Sequence, residues 1–310
     1  MTNVDATRDV VVGATDVEWK TLGNSRFEIL VGARKFVVEA KGEKGEALRY
    51  VMADVVPKLR RTAAVREQLS APEAERLLPY MEKLAAMGVL LYPKEPIGTE
   101  GELRLYSFIA RRSAAPDGVF ASVRRDIGVT GPPRMADALG GALRRQGLRV
   151  RDGDAGDSAL NVVVSLADEA VLRRTNRELC AAGRSFLPLL VTPRTIRIGP
   201  WTMPGESACL DCCAPYDTAT TATATPAARD SGVAHDSWPT LQSGCLEWAA
   251  GLTAHLTLRA FMPQGAEHPW GRVVTLDPAA CEQTSVRAWR DPYCASCASA
   301  GPTAQEWLEF

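Results

Sequence analysis

Two short cysteine pairs, Cys209-Leu-Asp-Cys212 and Cys294-Ala-Ser-Cys297, constrain this chain more than any other feature. A C-x-x-C turn lets both of its sulfurs face one point. Each pair therefore offers two ligands to a tetrahedral ion, and two pairs complete the shell. Four thiolates leave no position open to water, so an ion held there is structural, and zinc is the expected metal. The pairs are separated by 81 residues, more than in a compact zinc ribbon. The ion would then tie the C-terminal end of the chain to the middle of a larger domain. Such a clamp contributes on the order of 10 kcal/mol to folding. The competing reading is unligated thiols or a redox couple. Cys213 offers an alternative to Cys212, although the C-x-x-C spacing favours Cys212. Cys180, Cys245 and Cys281 have apolar neighbours and are expected in the core.

With eight cysteines in the chain, the compartment matters. The N-terminus has no basic stretch followed by an apolar block, so no secretion signal is read and a cytoplasmic location is expected. In that reducing setting the cysteines point to metal rather than disulfides. No run of 18 or more apolar residues suggests a membrane span. The formal net charge of -1 gives no global attraction to nucleic acid or to an anionic membrane. At 310 residues, with 46% hydrophobic and 24% charged, the chain can build a packed core in roughly two domains.

Residues 1–16 read as a flexible tail. Residues 17–93 read as a small unit of their own. Arg26–Val31 and Lys35–Ala40 are β-rich runs around Gly32 and predict a hairpin. Ala47–Leu59 has helical apolar spacing and Thr62–Leu69 predicts a second short helix. Ser70 is placed to cap a third helix that runs to Met87 and is stopped by Gly88, before the strand-like Val89-Leu-Leu-Tyr92. Strands, three helices and a strand in this length are the plan of a winged-helix unit. A Pro-, Gly- and charge-rich linker follows at 94–103. From 104 to 310 the pattern alternates. Strands are predicted at Arg124–Val129, from Leu148, at Asn161–Leu166 and at Phe186–Val191, with helices at Met135–Gln146 and Glu169–Ala182. This rhythm predicts a parallel sheet with helices on its faces. Thr218–Ala228 is low-complexity and predicts a mobile loop. Gln242–Phe261 predicts a long apolar helix, and Gly271–Leu276 with Glu282–Val286 a late hairpin. The expected fold class is α/β.

The segment Ile198-Gly-Pro-Trp-Thr-Met-Pro-Gly-Glu-Ser-Ala-Cys-Leu-Asp-Cys212, followed by Cys294-Ala-Ser-Cys297, resembles the signature of ThiF-like proteins that accompany YcaO cyclodehydratases in azole-forming peptide biosynthesis. The small N-terminal unit resembles their PqqD-like winged-helix recognition element. The resemblance implies that this element captures the leader of a ribosomally made precursor peptide as an added β-strand packed against a helix. Carried onto this sequence, the groove residues are Lys35, Phe36, Val38, Leu77, Tyr80, Met81 and Leu84. The bland alternative makes the apolar ones simple core residues. Arg34, Lys35, Arg76 and Lys83 could attract an acidic leader. The implied partners are the precursor peptide, a YcaO-type cyclodehydratase making azolines, and a second copy in a homodimer.

The departures from the wider superfamily are equally informative. Adenylating members place a glycine-rich loop after their first strand to hold phosphates. Here the stretch is Gly128-Val-Thr-Gly-Pro-Pro-Arg-Met135, and its two prolines remove amide donors. Arg151-Asp-Gly-Asp-Ala155 reads as a turn, without the expected acidic residue after the second strand. ATP binding is therefore expected to be lost, and the chain is expected to be a non-catalytic partner subunit. The alternative is an ATP-dependent adenylating enzyme acting on a peptide carboxylate. His235, His255 and His268 form no metal or catalytic pattern.

Overall fold

The computed structural model describes residues 10–23, 25–60, 69–152, 158–213, 235–262 and 268–298. The chain divides into two compact units, Met1–Ala121 and Ser122–Phe310.

In the first unit, β2 (Val17–Leu22), β3 (Arg26–Val31) and β4 (Arg34–Glu39) form an antiparallel sheet in the order β2-β3-β4. Alternation along β3 sends Phe27, Ile29 and Val31 into the core. The tight turn between β3 and β4 needs a left-handed residue, and Gly32 supplies it with φ +56°. Helix α1 (Glu43–Tyr50) runs on through a π turn (Val51–Val55) into α2 (Val56–Lys58). Helix α3 (Ala71–Leu77) opens with a reciprocal cap: the Ser70 side chain accepts from the N–H of Glu73, and the Glu73 carboxylate accepts from the N–H of Ser70. The single helix expected to Met87 is interrupted. Pro79 lacks an amide donor, and the chain makes a 3-10 turn (Leu78–Tyr80) before α4 (Met81–Met87). Gly88 ends α4 at φ +78°.

The expected tail does not extend to residue 16. Val12–Gly13 is β1, paired antiparallel with β5 (Leu90–Leu91), and Val11, Val12 and Ala14 are buried. An apolar run of this kind gains more by joining a sheet than by staying in water. Residues 1–9 and the helix expected at Thr62–Leu69, apart from Leu69, lie outside the described residues. The expected linker ends inside a helix: Thr99 accepts from the Glu102 N–H at 3.1 Å and caps α5 (Glu100–Ala110), which buries Leu103, Tyr106 and Ile109. Helix α6 spans Pro116–Val123.

The second unit holds β6 (Ile127–Thr130), α7 (Pro133–Arg145), β7 (Val150–Asp152), β8 (Leu160–Leu166), α8 (Glu169–Ala181), β9 (Phe186–Val191), β10 (Ile196–Ile198), α9 (Ser243–Ala260), β11 (Arg272–Asp277) and β12 (Glu282–Arg287). Its sheet has seven strands in the order β12-β11-β10-β9-β8-β6-β7. Strands β7, β6, β8 and β9 are parallel, whereas β10, β11 and β12 are antiparallel to their neighbours. The expectation of a parallel sheet thus holds for one part only. A parallel crossover needs about a dozen residues or more, and the short link from Val191 to Ile196 permits only a hairpin. Arg151 and Asp152, read as a turn, close β7 instead. The late hairpin forms as expected, with Val273 opposite Val286. The low-complexity segment 218–228 lies outside the described residues. Among these residues no helix is long and apolar enough to cross a membrane.

Candidate metal centre and peptide groove

The loop after β10 carries the first cysteine pair. Thr202 exchanges both backbone hydrogen bonds with Phe186 of β9, at 2.8 and 3.0 Å, which anchors the loop to the sheet. Ser207 Oγ accepts from the Met203 N–H at 2.7 Å and shapes the turn that precedes Cys209. Cys209 then precedes a short 3-10 turn, Asp211–Cys213, that contains Cys212. The second pair follows β12, where the Cys294 N–H bonds to the Asp291 carbonyl and the Ala298 N–H to the Cys294 carbonyl.

These turns bring four sulfurs together. Cys209 Sγ lies 3.8 Å from Cys212 Sγ and 3.7 Å from Cys294 Sγ, and Cys212 Sγ lies 3.6 Å from Cys297 Sγ. All four ligand atoms lie within 4.8 Å of one another, and all four residues are buried. A tetrahedral ion with bonds of about 2.3 Å to thiolate separates its sulfurs by about 3.8 Å. The cluster has that size. Cys213, the alternative to Cys212, instead points its thiol at the Cys209 carbonyl, 3.5 Å away.

The thiols of Cys209, Cys212 and Cys297 are poor acids while no cation compensates them. The Cys209 thiol is pushed up to about 11, first by its contact with the Cys180 thiol and also by burial. Cys212 is pushed up by its contact with Cys209 and by burial. Burial, then the nearby Cys209, raises Cys297. Several thiolates this close repel one another in a dry site, and a dication removes that penalty.

Sequence reading missed the residues that hold the two pairs. The fully buried Asn176 of α8 accepts the Leu210 N–H at 3.1 Å. Arg173, also on α8, donates to Asp211 at 2.9 Å, and Ser296 donates to the same carboxylate. The polar residue inside each C-x-x-C was the available signal. Cys180 is buried as expected and packs in the same cluster as the four cysteines. Cys245 is only half-buried. Cys281 is exposed, because it sits at φ +54° in the four-residue link between β11 and β12.

A groove lies in the first unit, beside the outer edge of β4. It has a volume of about 670 Å³, and its lining includes Val38, Leu48, Tyr80, Leu84, Lys83 and Met87. Strand β4 pairs with β3 alone among the described residues, so its other edge offers unpaired backbone groups. Of the seven sequence-derived groove residues, Val38, Tyr80 and Leu84 line this space. Leu84 is also a fully buried core residue, and the Tyr80 hydroxyl donates to the Lys44 carbonyl at 2.9 Å. Phe36 is half-buried on β4 opposite Ile29. Leu77 and Met81 line a different cavity of about 420 Å³, together with Val11, Leu59 and Leu78. Lys35 lies 2.5 Å from the Glu28 carboxylate, whose acidity it and Lys20 increase. Leu48 and Met87 were missed, because their contribution depends on how α1 and α4 pack.

In the second unit, β6 passes to β7 on one side and the chain returns to β8 on the other. That is a topological switch point, where open α/β sheets bind ligands. Pro132 and Pro133 open α7 there. The Arg134 side chain donates to the Leu241 carbonyl at 3.0 Å, and Thr240 Oγ1 donates to the Thr192 carbonyl at 2.7 Å. Trp238, Thr240 and Leu241, all buried, thus bridge the carboxyl ends of β6 and β9.

No family model matches the sequence, and no curated protein matches it. Solved structures do match the fold. A heterocyclase in complex with substrate and cofactor is 16% identical with a TM-score of 0.62, over 93% of this chain and 39% of that one. The heterocyclase TruD is 19% identical with a TM-score of 0.57, over 93% of this chain and 42% of that one. MccB of E. coli, solved with AMPCPP and selenomethionyl MccA, is 12% identical with a TM-score of 0.51, over 93% of this chain and 99% of that one. At these identities the likeness is one of fold, and it supports the α/β architecture expected from the sequence. The chain spans well under half the length of the two heterocyclases.

Proposed function

We propose that this chain is a non-catalytic, ThiF-like protein that binds the leader of a ribosomally made precursor peptide and presents it to a separate YcaO-type cyclodehydratase. The groove beside the unpaired edge of β4 carries this reading. A peptide strand added there gains main-chain hydrogen bonds, and its alternate side chains enter an apolar trough floored by Val38, Leu48, Leu84 and Met87. The first unit then acts as a winged-helix recognition element. Holding the peptide raises its effective concentration at the cyclodehydratase.

The segment Trp238–Leu241 stands at the switch point, and the prolines opening α7 remove two amide donors from a phosphate-binding position. Both favour a subunit without adenylation chemistry, and micromolar ATP binding in isothermal titration would overturn that part. The four cysteines hold zinc in this reading, because a buried tetra-thiolate set selects it and leaves no open coordination position. A homodimer is part of the same reading, and sedimentation tests it.

The deciding experiment measures binding of a fluorescent synthetic leader peptide to the full chain. Val37→Pro removes a backbone donor that faces away from β3, because the hydrogen-bonded pairs of the hairpin alternate from Ser25 with Ala40 and include Phe27 with Val38, and we expect a loss of about tenfold or more, equivalent to one or two strand hydrogen bonds. Unchanged affinity in a folded variant would place the leader elsewhere.

A further inference from the structure

Asp211 and Ser296 occupy the same position in the two cysteine pairs, immediately before the second cysteine. Ser296 Oγ donates to Asp211 Oδ2 at 2.5 Å. The same oxygen accepts from Asn176 Nδ2 at 3.4 Å, and the other carboxylate oxygen accepts from Arg173 Nη1 at 2.9 Å. Arg173 in turn pairs with Glu169 at 2.5 Å, and Glu169 with Arg197 of β10 at 3.1 Å. A polar chain therefore runs from the sheet, through α8, to both cysteine pairs, and its contacts with Asp211 are made by side-chain nitrogen and oxygen atoms, not by ligand sulfurs.

We infer that Asp211 is a positioning residue that latches the second cysteine pair onto the first, and both onto α8, independently of the ion. The inference rests on the reading that the four thiolates hold a metal. Closing a loop of 81 intervening residues costs chain entropy whether or not a metal is present. A charge-assisted latch contributes to that closure separately. The sulfurs then stand near their final places before the ion arrives, and an ion that loosens one bond stays confined by the others. Asp211 suits the task because its two oxygens reach opposite ways, one to α8 and one to the second pair.

The test compares zinc-loaded full-length wild type with Asp211→Ala, Asp211→Asn and Ser296→Ala. Elemental analysis gives the zinc content, and transfer to excess chelator gives the release rate. Amide exchange across residues 294–298 is measured on the metal-free proteins. We expect every variant to hold as much zinc as wild type. Asp211→Ala should release it about tenfold faster, the lower end of the usual effect of outer-shell partners. Asp211→Asn, which keeps an acceptor but loses the charge opposite Arg173, should fall between. Metal-free Asp211→Ala should exchange faster than metal-free wild type across the second pair. Equal release rates, or equal exchange without metal, would overturn the latch. Should Asp211→Ala fail to fold, Ser296→Ala deletes only the cross-pair bond and must speed release; no change there overturns the latch as well. A wild-type chain that takes up no zinc sinks the metal reading instead, and the exchange comparison still decides the latch.

Discussion

Glu73 shows how much one side chain can carry in this protein. Its carboxylate accepts from the Ser70 N–H and hydroxyl and also contacts the Lys58 ammonium, so it closes the cap of α3 and fastens that helix beside α2. The Lys58 contact, followed by the Ser70 N–H, holds the carboxyl down to about 2. The folded pKa lies below the unfolded one, so the fold favours the ionised form. That contribution is complete above the ordinary glutamate value of about 4.3 and fades as the pH falls from there toward 2. Glu73→Gln should therefore melt at a lower temperature than wild type at pH 7. Circular dichroism should show the gap closing between those two pH values. A gap of constant size down to pH 2 would mean that packing, not charge, supplies the effect. The Ser-x-x-Glu spacing made the cap legible in advance; the reach of Lys58 depended on where α2 ends.

At the scale of elements, backbone exceptions set the limits. Pro79 splits the helix expected from Ser70 to Met87; residues on both sides of the break, Leu77 and Met81, line one cavity, and Leu84 and Met87 further along α4 line the other. Gly88 closes α4 in the left-handed region, and a Cβ there would come within 2.3 Å of Arg111 Nη1. Arg111 is engaged, donating to Asp16 at 2.8 Å and to the Gly88 carbonyl at 2.7 Å. Gly88→Ala should cost about 1–2 kcal/mol from the backbone conformation alone, with more added as Arg111 is displaced. Denaturant unfolding measures this, and a neutral result would show that both adjust freely. Helix stops and hairpins were readable because glycine, proline and alternation act locally. The strand at β5 was read in advance, whereas β1 and β10, two and three residues long, were missed, since strands so short take their conformation from the strand they pair with; β2 was missed as well.

For the molecule as a whole, the cysteine cluster ties the segment after β12 to the segment after β10. Metal removal should show where that tie acts. After chelation, amide exchange should rise across residues 203–213 and 288–298 and stay unchanged in β3 and β4. Protection retained at both cysteine pairs would mean that the metal adds nothing to the closure. The raised thiols of Cys209, Cys212 and Cys297 in the metal-free fold fix the sign of the pH effect. Neutral thiols must lose protons to bind, so loading at neutral pH releases protons and affinity weakens as the pH falls.

The cysteine spacing by itself specified a four-sulfur centre, because a C-x-x-C turn aims both sulfurs without help from the rest of the chain. Composition and periodicity likewise specified an α/β chain with a β-hairpin near its start. Tertiary structure decided which thiol completes the centre, which strands reverse direction, and which apolar side chains face a groove rather than a core. It also decided that Asp211 meets Ser296. Those outcomes depend on contacts between residues far apart in sequence, whose geometry exists only after the helices and sheets have packed.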